Sequence, residues 1–294
     1  MARGSRLARL AALGLLGVLT LTGCQMPNNE FWRFGWPEGI TKQAQDMRQL
    51  WTGSVIAALI VGFLVWGLIL WSVVRHRKRS DELPKQTAYN LPLEIVYTIV
   101  PFLIIAALFF VTVVVQDKVQ KRSDKPDETI AVKAFKWNWQ FTYPEAKGQG
   151  GEAVSTVGSS SEIPILVLPT NRTIRFEVSS ADVIHSFWVP EFLFKLDVIP
   201  GNVNGRNNVF EVTVQKEGAY VGRCAELCGT YHAFMNFEVR AVSGDDYDAY
   251  LADREKGMST SEALQDIGQP GHATATHPFE SLQNGTVNQQ SSGG

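Results

Sequence analysis

The chain is short of charge and of cysteine. Charged residues make up 19% of its 294 residues, against about a quarter in soluble domains, so part of it avoids water. A net charge of -2 leaves no global basic field, which argues against a phosphate-driven hold on nucleic acid. Three cysteines, Cys24, Cys224 and Cys228, are too few for a disulfide scaffold in a chain this long, and their odd number gives one of them a separate fate. No CxxCH stretch occurs, so no haem-attachment motif is present. Lys and Arg are missing from Gly257 to Gly294, where Ser, Thr, Gln and Gly crowd together. Residues 257–294 therefore read as a disordered tail, with His272 and His277 as solvated residues without a role. Aromatics are not scarce: eight Trp and sixteen Phe exclude wholesale disorder.

Residues 1–23 read as a signal peptide, with Arg3, Arg6 and Arg9 before an apolar run from Leu10 to Thr22 that is too short to span a bilayer. The run ends in Leu21-Thr22-Gly23-Cys24, similar to a bacterial lipobox, so Cys24 is the expected lipidation site and mature N-terminus. After an outer segment over 24–50, Trp51 to Val74 carries no charge and is long enough to cross a hydrocarbon core of roughly 30 Å. Ile95 to Val115 is a second uncharged run, within a second span assigned to 91–115, and contains Pro101. The connection over 75–90 holds Arg75, Arg77, Lys78, Arg79 and Lys85 against Asp81 and Glu82. The positive-inside bias places that loop in the cytoplasm and both termini on the outer side of a bacterial plasma membrane.

Beyond a charged linker, the outer domain (128–243) reads as all-β. Ile130–Phe135, Ile163–Leu168, Thr173–Val178, Asn208–Val214, Ala219–Arg223 and Phe237–Val242 favour strands, separated by Pro, Gly and Asn clusters. Ala146 to Glu162, rich in Gly and Ser, reads as a mobile loop. The fold class is a membrane-anchored all-β protein, a two-helix transmembrane hairpin followed by a sandwich or Greek-key barrel.

The chemistry concentrates in Cys224-Ala-Glu-Leu-Cys228-Gly-Thr-Tyr-His232-Ala-Phe-Met235, with His185 upstream. A disulfide between Cys224 and Cys228 would leave both histidines idle. A tetrahedral zinc site would leave Met235 idle, because thioether is a soft ligand suited to copper. Copper uses all five side chains. A mononuclear blue-copper centre needs one Cys, so the second thiolate points to two copper ions sharing a pair of bridging sulfurs.

The His185 spacing and the CxxxCxxxHxxM loop resemble subunit II of the haem-copper cytochrome c oxidases, over nearly the whole ordered chain. The resemblance implies a cupredoxin-like Greek-key barrel carrying a binuclear CuA centre. Cys224 and Cys228 would bridge both coppers, His185 and His232 would bind one each, Met235 would be a weak ligand, and Glu226 would ligate through its backbone carbonyl. It further implies a magnesium site shared with subunit I at the Glu226 side chain. Lys136-Trp137-Asn138-Trp139-Gln140-Phe141-Thr142-Tyr143 resembles the family's aromatic segment, in which the Trp137 position receives electrons from the cytochrome. Glu94 aligns with a glutamate at the mouth of a proton pathway, although an acid capping a helix start is the structural alternative.

The implied function is subunit II of an aa3-type, proton-translocating oxidase. Electrons from cytochrome c, or a membrane-bound c-type cytochrome, would reach haem in subunit I, which holds haem and CuB, for oxygen reduction. The lipid membrane and other oxidase subunits are the remaining partners. A quinol-oxidase subunit would share the hairpin and barrel but normally lacks the copper ligands. In a copper chaperone of the Sco type the cysteines precede the histidine, whereas His185 comes first here. Nitrous oxide reductase needs a large additional catalytic domain. From Glu128 to Lys256, seventeen acidic against twelve basic residues give the outer domain a modest negative field suited to steering a basic donor.

Overall fold

The two uncharged runs lie inside two long helices. The computed structural model describes residues 30–83, 86–201 and 208–278; Cys24 and the signal peptide fall outside them. A short helix α1 (Glu30–Arg33) precedes α2 (Lys42–Arg75) and α3 (Leu91–Gln120). Both long helices are long and apolar enough to cross a membrane, and their outward apolar side chains, such as Phe63 and Phe102, are exposed, as lipid-facing residues are. Each helix outruns its apolar run because backbone hydrogen bonding continues through polar turns; hydropathy marks only the hydrocarbon-crossing part. Before α2 the chain makes an aromatic elbow: Trp36 stacks on Trp51 at 4.9 Å, and the Trp51 indole donates to the Arg33 carbonyl at 3.0 Å.

The chain divides into two compact units. One holds the described residues up to Trp36 together with Asp46–Val119; the other holds Pro37–Gln45 and the described residues from Gln120 onward. The second unit is built from β1 (Glu128–Phe135), β2 (Asn138–Lys147), β3 (Ala153–Val157), β4 (Ile165–Pro169), β5 (Thr173–Ser180), β6 (His185–Val189), β7 (Phe194–Val198), β8 (Val209–Thr213), β9 (Gly218–Cys224) and β10 (Asn236–Val242). They form two five-stranded sheets, in the orders β3-β2-β1-β5-β8 and β4-β10-β9-β6-β7. Both are mixed, with β1 parallel to β5 and β10 parallel to β4. Strand alternation sends Ile130, Val132, Phe141, Phe176, Phe187 and Phe237 into one core, all at 1% exposure or less. This is the expected membrane-anchored all-β class.

Pro37–Gln45 is woven into that β unit. Ile40 sits in the core at 2% exposure. Its amide donates to the Glu191 carbonyl and its own carbonyl accepts from Gln215. Thr41 bridges Val214, and the Gln43 side chain accepts from the Thr213 amide at 3.0 Å.

Two expectations are corrected. Within the stretch read as a mobile loop, Ala153–Val157 is strand β3, paired to β2, with Val154 buried; its alternating apolar residues outweigh the flanking glycines. The stretch from Gly257, read as disordered, instead forms α5 (Thr260–Asp266) after α4 (Gly244–Glu255). Ser259 and Glu262 make a reciprocal capping box at its start, and Ala263 and Leu264 are fully buried. The following segment is clamped by a buried ion pair on β10. Arg240 donates to the carbonyls of Pro270 and His272, and Glu238 accepts from the amides of Thr274 and Ala275. The His272 and His277 side chains are exposed. Residues 279–294 lie outside the described ones.

Candidate metal centre

The cysteine loop is the connection between β9 and β10, anchored where it leaves one strand and joins the next. The Cys224 amide donates to the Met235 carbonyl at 3.1 Å, closing the loop at its neck, and the Ala225 amide donates to Ser186 on β6 at 3.0 Å. Cys224 also sits opposite Phe187 in the β6–β9 register. A single 3-10 turn, His232–Phe234, ends the loop, with the Met235 amide donating to the His232 carbonyl at 3.2 Å. Gly229 takes φ 121°, a backbone region that disfavours side chains, and a Cβ there would stand 3.2 Å from the Trp137 indole.

This backbone brings together every expected donor atom. The Cys224 and Cys228 Sγ atoms, both free thiols, lie 3.8 Å apart. His185 Nδ1 is 3.8 Å from Cys224 Sγ, His232 Nδ1 is 3.7 Å from Cys228 Sγ, and Met235 Sδ is 3.8 Å from Cys228 Sγ. The Glu226 carbonyl oxygen is 3.3 Å from Cys224 Sγ, while the Glu226 side chain is exposed. Donors held about 2.0–2.3 Å from one tetrahedral ion stand roughly 3.3–3.8 Å from each other, so these spacings fit metal coordination. Each histidine lies against a different sulfur, which gives two overlapping donor groups joined through the thiol pair. His185, Cys224 and Cys228 form the one cluster of three or more His, Cys or carboxylate ligands found among the described residues.

The electrostatics favour a cation. Burial, and then the neighbouring Cys224, push the Cys228 thiol up to about 12. That sulfur remains protonated at neutral pH unless a positive ion takes the place of its proton. His185 and Met235 are fully buried, and Cys224 and Cys228 nearly so. His185 turns Nδ1 toward the sulfurs and Nε2 toward Asp182 Oδ1, 2.8 Å away. Burial works against the charged form of Asp182, but hydrogen bonds from His185 and from the Lys136 and Val183 amides hold its carboxyl below the usual range.

The paired tryptophans separate into two roles. Trp139 is fully buried and donates to the Met235 carbonyl at 3.2 Å, so it is core that also braces the loop. Trp137 is half-buried, donates to the Cys228 carbonyl at 3.2 Å and meets the exposed Tyr231 edge-on at 4.9 Å. Glu94 belongs to the helical unit, where its carboxylate accepts from the Asn90 amide at 2.9 Å and so caps α3. Sequence reasoning missed Asp182 and Tyr231. The one available signal for Asp182 was an acid three residues before a candidate ligand in the same turn.

Comparison with known proteins finds matches along both units. Residues 129–242 match the family profile described as cytochrome c oxidase subunit II, periplasmic domain, and residues 29–115 match its transmembrane domain. The chain is 46% identical to a probable cytochrome c oxidase subunit 2 of Nocardia farcinica, over 94% of this chain and 89% of that one. It is 47% identical to the cytochrome c oxidase subunit 2 of Mycobacterium tuberculosis, over 95% of this chain and 90% of the relative. Among solved structures, the periplasmic domain of subunit II of the Bradyrhizobium japonicum cytochrome oxidase is 32% identical, covers 47% of this chain and all of its own, and has a TM-score of 0.40.

Proposed function

The chain belongs to the cytochrome c oxidase subunit II family, a membrane component of haem-copper oxidases with two spans, and on that premise we propose that it is the electron-accepting subunit of an aa3-type oxidase. In this reading it takes electrons from a c-type cytochrome at a binuclear CuA centre and hands them toward haem in subunit I.

Cys224 and Cys228 would hold both coppers, His185 and His232 one each, with Met235 and the Glu226 carbonyl as weaker outer ligands. Such a copper pair would supply a one-electron acceptor with charge shared over two ions. The chain's own part is to keep that acceptor rigid and dry: buried side chains fix the donors, and the neck hydrogen bond between Cys224 and Met235 prevents the loop from spreading. Trp137 carries an indole from the domain surface to the Cys228 carbonyl, a through-bond route from an incoming donor to a ligand. The exposed Glu226 carboxylate would take magnesium together with subunit I. Glu94 would serve proton delivery in addition to capping α3. Cys24 would be acylated, and the basic 75–90 loop would lie in the cytoplasm, with the β unit outside.

The observation that carries this reading is the thiol pair 3.8 Å apart with a different histidine on each sulfur. Neither zinc nor a disulfide uses that arrangement in full. Metal analysis and electron paramagnetic resonance on the oxidase containing the full chain test it. Two coppers at the Cys224–Cys228 pair and a mixed-valence signal are expected, and Cys228→Ser should abolish that signal with oxidase activity. One zinc in place of the two coppers, with no such signal, would overturn the assignment.

A further inference from the structure

Asp182 touches both the metal cluster and the segment that leads to it. Its Oδ1 accepts from His185 Nε2 at 2.8 Å and from the Val183 amide at 2.6 Å; its Oδ2 accepts from the Lys136 amide at 2.7 Å. Lys136 immediately precedes Trp137, whose indole bonds the Cys228 carbonyl. The carboxylate is held in turn by its own tight turn, where the Asp182 amide donates to Ser180 Oγ and Ser180 Oγ donates to the Val183 carbonyl. One carboxylate thus links a ligand from β6 to the junction between β1 and β2.

We propose that Asp182 is a positioning residue that sets two properties of the centre at once: the donor strength and orientation of His185, and the placement of Trp137 over the Cys228 carbonyl. The proposal rests on the copper reading above. Each half follows from ordinary chemistry. An imidazole that donates Nε2–H to a carboxylate is fixed in the tautomer whose Nδ1 lone pair faces the metal, and it becomes a more basic ligand. A more basic ligand and a nearby negative charge favour the oxidised, more positive metal state, so the carboxylate lowers the reduction potential. The Lys136 amide has its partner in Oδ2, and removing that partner frees the turn carrying Trp137 to move. Electronic coupling falls steeply with separation, so a small displacement of the indole slows transfer.

The test uses the purified oxidase holding the full chain, as Asp182→Ala, Asp182→Asn and Ser180→Ala, with donor saturating so that docking is not limiting. Asp182→Ala should keep two coppers at the centre while binding them about 10–100-fold less tightly under chelator competition. Its midpoint potential should rise by at least a tenfold change in the reduction equilibrium, about 59 mV for one electron. Donor-to-copper transfer should fall about tenfold or more. Asp182→Asn keeps the size and one acceptor oxygen but cannot satisfy both donors, so at least one readout should move, and by less than in the Ala variant. Ser180→Ala leaves the carboxylate in place but removes the hydroxyl that closes its turn and reaches Asp182 Oδ1 at 3.5 Å, so it should move potential and transfer in the same direction and by clearly less than Asp182→Ala.

An Asp182→Ala enzyme with native potential and native transfer would overturn the proposal. So would a Ser180→Ala enzyme that reproduces the Asp182→Ala changes in full, since the turn rather than the carboxylate would then be responsible. Should Asp182→Ala fail to assemble, an Asn variant unchanged in both readouts would overturn it equally. Absence of copper from the unsubstituted enzyme is a separate result, which removes the copper reading itself.

Discussion

Two buried polar clusters in the β unit are satisfied in opposite ways. Glu238 and Arg240, at 0% and 2% exposure, sit on β10 beneath the C-terminal segment. The Arg240 guanidinium and the Thr274 and Ala275 amides donate to Glu238, and Arg240 donates on to the Pro270 and His272 carbonyls. The cluster around Cys224 and Cys228 is also largely buried, yet its sulfur and nitrogen donors face one another across 3.7–3.8 Å. A buried charge matched by protein hydrogens is structure. A buried group of lone pairs turned inward is a ligand shell, and only a cation completes it. Degree of burial alone would not separate the two; the direction of the donors does.

Substitutions should separate them as well, with stability failing on one side and electron transfer on the other. The largest effect expected is from Glu238→Ala, which strands a buried guanidinium and should cost about 3–5 kcal/mol of unfolding free energy. Denaturation followed by tryptophan fluorescence would measure it, and the copper spectrum of the folded fraction should not change. Replacing both partners, as Glu238→Leu with Arg240→Met, should recover part of that loss, because no charge is left stranded although the Thr274 and Ala275 amides still lose their acceptor; a double variant as unstable as the single one would contradict this account. Trp137→Gln should act on the opposite side. Donor-to-copper transfer should drop by about a hundredfold, roughly 2.7 kcal/mol of added barrier, while copper content, spectrum and stability stay near native. Normal turnover with the natural donor would rule out this route. The smallest effect is expected from Met235→Leu, a volume-conserving change that costs less than about 1.5 kcal/mol. Both coppers should remain with a measurable shift in potential, because a weak axial ligand tunes the metal; loss of copper would make Met235 a primary ligand.

The ligand loop was legible because its donors are unusual residue types at close spacing, and the neck between Cys224 and Met235 turns sequence proximity into spatial proximity. The membrane helices were legible through hydropathy, which identifies Trp51 to Val74 but is blind to the polar turns before it that continue α2 from Lys42. β1, β5 and β10 fall almost where alternation put them. β6 and β7 were not read as strands: His185–Val189 is five residues, four of them buried, and it shows no alternation to read. The C-terminal helix was hidden because composition averages over the whole stretch, whereas Ala263 and Leu264 need only a short patch of core to dock. Asp182 was hidden for a different reason. Its importance lies in two partners, 3 and 46 positions away along the chain, and only the second reaches beyond its own turn.

The weaving of Pro37–Gln45 into the β unit bears on how the protein is made. The segment leaves the ribosome before the first span, yet it packs beside β8 through Ile40, Thr41 and Gln43, a strand synthesised some 170 positions later. The chain entering the hairpin and the chain leaving it therefore complete one folded body, which requires both to emerge on the same face of the bilayer before that body can close. The β unit can be completed only when the chain on both sides of the two long helices is available to it, around a strip of chain that was synthesised first. A hairpin inserted with one flank stranded across the membrane could not form this edge of the β unit, so the fold itself checks the topology of its anchor.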